Sequence, residues 1–230
     1  MCGRYASARS VDDIASAFGI SDGDVDTPPV ADWNVAPTKP VGVLLMRAGR
    51  RVLTSARWGL VPSWASDPSI GARLINARLE TVAEKPAFRD ALATRRCLLP
   101  ADGWYEWATR PGGSRQPYYL APGNGDVLAF AGLWEVWYDA EGKPLVSTTI
   151  VTCPAPDDLR FVHDRAPVVL DADRWTRWLD PGTTVPEAVL SPTPSGTVVP
   201  RTVSDAVGDV RVNGPELTVE VNVPEQQSLF

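Results

Sequence analysis

Between residues 41 and 153 the chain breaks so regularly into short apolar runs separated by turn residues that it has to build sheet. "VGVLLMR" (41–47) and "RVLTSARW" (51–58) flank the turn "AGR" as a hairpin. "RRCLLPADGWYEW" (95–107), "QPYYLAP" (116–122), "VLAFAGLWEVW" (127–137) and "LVSTTIVTC" (145–153) follow, rich in β-branched and aromatic residues. Three patches carry helical signals. "SVDDIASAFGI" has Ser10 as N-cap, Asp13 at the third position, Ile14 and Phe18 four apart and Gly19 as a stop, and "KPAFRDALAT" and "ADRWTRWLD" are the other two. With 22 prolines for many short connections and "SPTPSGTVVP" as a loop, the expectation is an α+β fold. It is a β-rich single domain spanning residues 1–230, with a strongly curved or barrel-like sheet and peripheral helices.

Composition excludes several classes. Apolar residues at 44% and charged residues at 22% are ordinary for a globular protein. No apolar run approaches the roughly 20 residues of a membrane span, and "MCGRYASARSVDDIASAFG" carries acids early and no apolar stretch of a signal peptide. The expectation is a cytoplasmic protein. Cys2, Cys97 and Cys153 cannot all pair and match no metal-ligand spacing, so free thiols, no metal and no cofactor are expected. Net charge is −6, but unevenly spread: residues 33–115 carry 13 Lys or Arg against 6 Asp or Glu, while residues 116–230 carry 7 against 16. Of the 22 basic residues 19 are arginine, the side chain suited to bidentate phosphate contacts and to stacking on bases.

The start, "MCGRY", places Cys2 directly behind Met1. Without Met1, one residue carries both an α-amine, of pKa about 7.7–8.0, and a thiol, of pKa about 8.5. The amine condenses with an aldehyde to a Schiff base, and the thiol closes on the imine to a thiazolidine ring. Glu106, in "ADGWYEW", shares a strand face with Trp104, while Tyr105 and Trp107 share the other. A carboxylate beside an indole is partly desolvated, and its pKa rises toward neutrality. His163, in "VHDRAPVVL", is the single histidine, with Asp164 and Arg165 beside it to orient it or hold an anion. Asn76, in "LINARLET", suits the positioning of an amine or a sugar hydroxyl, and Arg78 a phosphate; Asn34, in "WNVAPT", invites the same two readings as Asn76. Of nine tryptophans most belong to the core, and Trp64, in a short polar loop, is expected to be exposed.

In this order, "MCGRY", "WNVAPT", "RWGLVPSW", "LINARLET", "RCLLPADGWYEW", "VHDRAPVVL" and "VSDAVGDVRVNGPEL" resemble the SOS-response-associated peptidase (SRAP) family over nearly the whole chain. The resemblance implies a compact β-rich domain with a basic groove for single-stranded DNA. It implies a protein that removes its own Met1 and traps the ring-opened aldehyde of an abasic site as a thiazolidine crosslink. Carried over, it makes Cys2 the nucleophile, Asn76 the positioner of its amine, Glu106 the acid/base of methionine removal and ring opening, and His163 the proton shuttle. Arg4, Asn34, Trp64 and Arg78 would line the DNA path. The loop "VPSWASDP" has one tryptophan where some relatives have two adjacent ones. The implied partner is single-stranded DNA containing abasic sites, met by a monomer that works at the nucleoid and binds no membrane.

Three other readings compete. A peptidase acting in trans through Cys2 or Glu106 has no need of a basic Arg/Trp region. A non-covalent single-stranded-DNA module captures abasic DNA equally well as Cys2→Ala. A lyase working through a reversible Schiff base leaves a nicked strand instead of a trapped one, and can coexist with the crosslinking activity.

Overall fold

The computed structural model describes residues 2–183 and 192–222; Met1 and the first residue of the 191–200 loop lie outside them. Among the described residues the first strands are β1 (Tyr5–Ser7), β2 (Asp32–Val35), β3 (Pro40–Arg47), β4 (Arg50–Trp58) and β5 (Asn76–Arg78). Then come β6 (Arg96–Ala101), β7 (Gly103–Thr109), β8 (Arg115–Ala121), β9 (Leu128–Tyr138), β10 (Pro144–Pro154), β11 (Arg165–Pro167) and β12 (Val199–Thr202). The helices are α1 (Val11–Phe18), α2 (Arg89–Thr94) and α3 (Ala172–Leu179).

The hairpin read from the sequence closes on Ala48 (φ 49°) and Gly49 (φ 77°), two left-handed residues that match the twist of the flanking strands. Its strands belong to a ring. β10 pairs with β4, β4 with β3, β3 with β6, β6 with β9, and β9 returns to β10, so five strands close into a barrel and leave no open edge among themselves. Alternation decides what each strand sends inward. Val43, Leu45, Val52, Trp58, Cys97, Leu99, Phe130 and Ile150 pack in one buried cluster. Leu44, Leu53, Leu98, Ala131, Leu133 and Val151 face the opposite way, under Ile14 and Phe18 of α1 and Trp178 and Leu179 of α3. The expected barrel-like sheet with peripheral helices is therefore the fold. α1 has the cap read for it: the Ser10 hydroxyl accepts from the Asp13 amide at 3.1 Å, and Gly19 ends the helix in the left-handed conformation. No helix among the described residues is long and apolar enough to cross a membrane.

A second sheet, in the order β12, β8, β7, β1, β2, lies against the barrel. The segment "RRCLLPADGWYEW" supplies both sheets, since it is two strands: β6 stays in the barrel and β7 crosses to the second sheet. Asp102 makes the break, accepting from the Ala8 amide at 2.6 Å and from Arg9 Nε at 2.8 Å. Tyr5, Trp104 and Leu120 of the second sheet, and Cys2 just before it, join the barrel cluster, which puts the start of the chain against the barrel.

Candidate active site

Cys2 lies just before β1, which is held between β2 and β7, and is fully buried. Two strands bring partners to it. β5 runs parallel to β10, with Asn76 opposite Ile150, and the Asn76 side chain donates from Nδ2 to the Cys2 carbonyl oxygen at 2.8 Å. The Oδ1 of the same amide is buried with no hydrogen-bond partner among the described residues. On β7 the expected alternation holds. Trp104 packs in the cluster that contains Cys2, while Tyr105 and Trp107 pack on the other face with Ala6 and Val207. Glu106 shares the Trp104 face and is 3% exposed. Burial pushes its carboxyl up to about 7. Burial, and then the nearby Glu106 carboxylate, push the Cys2 thiol well above its ordinary range. The cysteine therefore stays a neutral thiol across physiological pH.

His163 comes from the turn before β11. The Arg165 backbone amide donates to its Nδ1 at 2.9 Å, and the Asp164 carboxylate lies 2.8 Å from the same nitrogen. The two neighbours ask for opposite states, because the amide needs a lone pair on Nδ1 and the carboxylate favours a proton there. Burial tips the balance and lowers the pKa of the ring. The neutral ring that accepts the Arg165 amide carries its hydrogen on Nε2. Asp164 and Arg115 exert their charge on both Glu106 and His163, so these two acid/base groups share one neighbourhood. Arg115 escaped the sequence reading. Its signal was the hairpin register that pairs it with Thr109, on the strand that carries Glu106.

The site thus gathers a thiol, an amide and two groups able to carry protons, from positions 2, 76, 106 and 163. A family model described as SOS response associated peptidase (SRAP) matches residues 1–210. The chain belongs to the SRAP family. Among its relatives, the abasic site processing protein YoqW of Bacillus subtilis is 36% identical over 94% of this chain and 98% of its own. The abasic site processing protein HMCES of Gallus gallus is 34% identical over 84% of this chain and 68% of its own. A crystal structure of a Bacteroides thetaiotaomicron protein matches with a TM-score of 0.83 over 96% of this chain and 100% of that one, at 20% identity, a likeness of fold.

The SRAP resemblance also drew attention to four residues outside this cluster, and their placements differ. Arg78 is exposed, on the same side of β5 as Asn76. Trp64 is 60% exposed. Its loop is anchored by the Trp137 indole, which donates to the Ala65 carbonyl at 2.7 Å. The loop is also pinned where Gly59 (φ 115°) and Gly71 cross: a Cβ on Gly59 would meet the Gly71 oxygen at 2.4 Å. Asn34 requires a correction. It is fully buried, and its Nδ2 donates to the carbonyls of Asp209 at 3.0 Å and Val212 at 2.8 Å. Its Oδ1 accepts from Arg4 Nη1 at 2.7 Å. A side chain so engaged and so enclosed meets no DNA; it ties β2 to the "VSDAVGDVRVNGPEL" segment. Arg4 is half-buried on the face of β1 opposite the Cys2 cluster, where it also donates to the Val207 carbonyl at 2.7 Å. Arg165 is engaged as well, in a two-point ion pair with Glu80.

Proposed function

We propose that this protein processes abasic sites in single-stranded DNA by covalent capture on Cys2, after removing its own Met1. The observation that carries the reading is the Asn76 amide. Nδ2 fixes the Cys2 carbonyl, and Oδ1 sits buried beside it with an unused lone pair. An α-amine freed at Cys2 supplies the donor that this oxygen lacks, and the amide then holds the nucleophile at both ends. The names of the relatives, abasic site processing proteins, agree.

The steps follow from the side chains. In methionine removal, Glu106 takes a proton from water as the water oxygen adds to the Met1 carbonyl. The carboxylic acid returns that proton to the Cys2 nitrogen as the C–N bond breaks, releasing free methionine. A carboxyl with a pKa of about 7 suits both halves of the exchange. In capture, the Cys2 amine adds to the aldehyde carbon of the ring-opened abasic sugar. The nitrogen passes one proton to the oxygen, giving a carbinolamine. His163, as the imidazolium paired with Asp164 at Nδ1, gives its Nε2 proton to the departing hydroxyl; one water leaves, and the nitrogen's second proton returns to Nε2, leaving a neutral imine. The thiol then adds to the imine carbon and its proton passes to the imine nitrogen, closing the thiazolidine. A thiol kept neutral by burial cannot be first to attack, so the amine leads. Run without ring closure, the imine gives the lyase side reaction. Exposed Arg78, Arg115 and Trp64 supply the phosphate contacts and the stacking surface of a basic path for the strand.

The test uses protein of known N-terminus, verified by intact mass, and a single-stranded oligonucleotide with one abasic site. The expected result is a heat-stable shifted band on a denaturing gel with the wild type and none with Cys2→Ala. An undiminished band with Cys2→Ala, or no band with a protein that has lost Met1, overturns the reading.

A further inference from the structure

Phe161 stands 58% exposed, two positions before the only histidine. Its ring meets Tyr118 edge-on, with centroids 5.5 Å apart and planes at 90°. Tyr118 is directly opposite Glu106 in the β7–β8 pair, and directly opposed residues project to the same face. The tyrosine packs on the cluster that contains Cys2, so the two rings form an aromatic step leading to Glu106. The turn that sets His163 also sets the phenylalanine: the amides of Val162 and His163 donate to the Leu159 carbonyl at 3.0 and 3.2 Å, with Leu159 buried beneath. Arg115, exposed, begins the strand that carries Tyr118, and its charge reaches both Glu106 and His163.

A lone exposed phenylalanine is unremarkable on a protein surface. This one is backed by a second ring, on a strand that opens with an exposed arginine whose guanidinium donates to the Trp107 carbonyl at 3.3 Å, at the approach to a site whose substrate lacks a base. An abasic nucleotide offers no π-face of its own, so grip on the strand has to come from phosphates and from the bases on either side of the lesion.

We propose that Phe161, backed by Tyr118, is the stacking platform for the nucleobase adjacent to the abasic nucleotide, with Arg115 taking the phosphate between them; this rests on the reading given under Proposed function. The probe is a single-stranded oligonucleotide with one tetrahydrofuran abasic analogue, which cannot crosslink, and 2-aminopurine on its 5′ or its 3′ side. The wild type is expected to quench the fluorophore on one side. Phe161→Ala abolishes that quench and weakens binding about 5-fold, equivalent to about 1 kcal/mol of stacking, while Phe161→Trp keeps both. Replacing the flanking base by a second tetrahydrofuran weakens the wild type by the same factor and leaves Phe161→Ala unaffected. The melting temperature of Phe161→Ala is expected to match the wild type, since most of the ring is in water.

An unchanged quench on both sides in Phe161→Ala, or equal weakening whether or not the flanking base is present, overturns the platform. A wild type that loses its quench on Phe161→Ala yet forms no adduct with true abasic DNA keeps the platform and rejects the capture chemistry. A wild type that binds no single-stranded DNA rejects both.

Discussion

The Asn76 side chain reaches across 74 positions of sequence to donate to the Cys2 carbonyl at 2.8 Å, and its Oδ1 remains buried without a partner among the described residues. One end of the amide is occupied, and on the reading above the other receives the freed Cys2 amine. Asn76→Ala deletes both. A hydrogen bond of about 1 kcal/mol held in the transition state corresponds to roughly 5-fold in rate. Single-turnover crosslinking by Asn76→Ala is therefore expected to slow about 5-fold or more at saturating DNA, and an unchanged rate would show that the amide does not orient the amine.

On the reading given under Proposed function, Glu106 ties Met1 removal and stability to the same titration. Its carboxyl, ordinarily near 4.5, is raised by burial to about 7. Between these values the folded state holds a proton that the unfolded state has lost, so folding stability declines as pH rises from about 4.5 to about 7. Glu106→Gln carries no such penalty. Its stability advantage over the wild type is expected to grow across that window to about 3 kcal/mol and then level off, as urea melts at pH 5, 6, 7 and 8 would record. Met1 removal by the wild type should rise through the same window as the base form accumulates, and Glu106→Gln should retain Met1 in intact-mass spectra. A flat stability difference would refute the assigned environment.

Much of this was legible in the chain. The 40–58 hairpin, the capped helix after Ser10 and the two-sided pattern around Glu106 depend on neighbours a few residues apart, which the sequence displays directly. Asn34 was not legible: an asparagine in "WNVAPT" looks the same whether its amide faces solvent or is shared among the carbonyls of Asp209 and Val212 and the guanidinium of Arg4. The break at Asp102 was equally hidden, because what turns the strand is Ala8 and Arg9, more than 90 positions away. Arg115 and Tyr118 acquire their setting only through the strand register that places them along from and opposite Glu106.

Asn34→Ala is expected to act on the fold. It leaves the partly buried carbonyls of Asp209 and Val212 short of a donor and removes one of the two acceptors of Arg4, and each orphaned group costs about 1–3 kcal/mol. A loss of about 2–4 kcal/mol is expected in chemical denaturation, with the salt dependence of DNA binding unchanged in the protein that remains folded. Full stability together with weakened DNA binding would reverse the assignment.

Arg78 should behave in the opposite way. It is exposed and lies along the strand from Asn76, so Arg78→Ala should leave the melting temperature within error of the wild type. On the reading that it neutralises one phosphate, the slope of log affinity for single-stranded DNA against log salt falls by about 0.7. Fluorescence anisotropy at several salt concentrations measures it, and an unchanged slope would remove Arg78 from the DNA path.

The contact between Arg4 and the Val207 carbonyl spans 203 positions, and it sits two residues from Cys2. During synthesis Cys2 leaves the ribosome well before the segment that clamps its strand, since Val207 lies 203 positions beyond Arg4. Closure over so long a loop comes late in folding. On the reading of Cys2 as an aldehyde trap, a growing chain carries this cysteine without the setting that arms it until residue 207 has been made, and order of assembly keeps the trap idle until then.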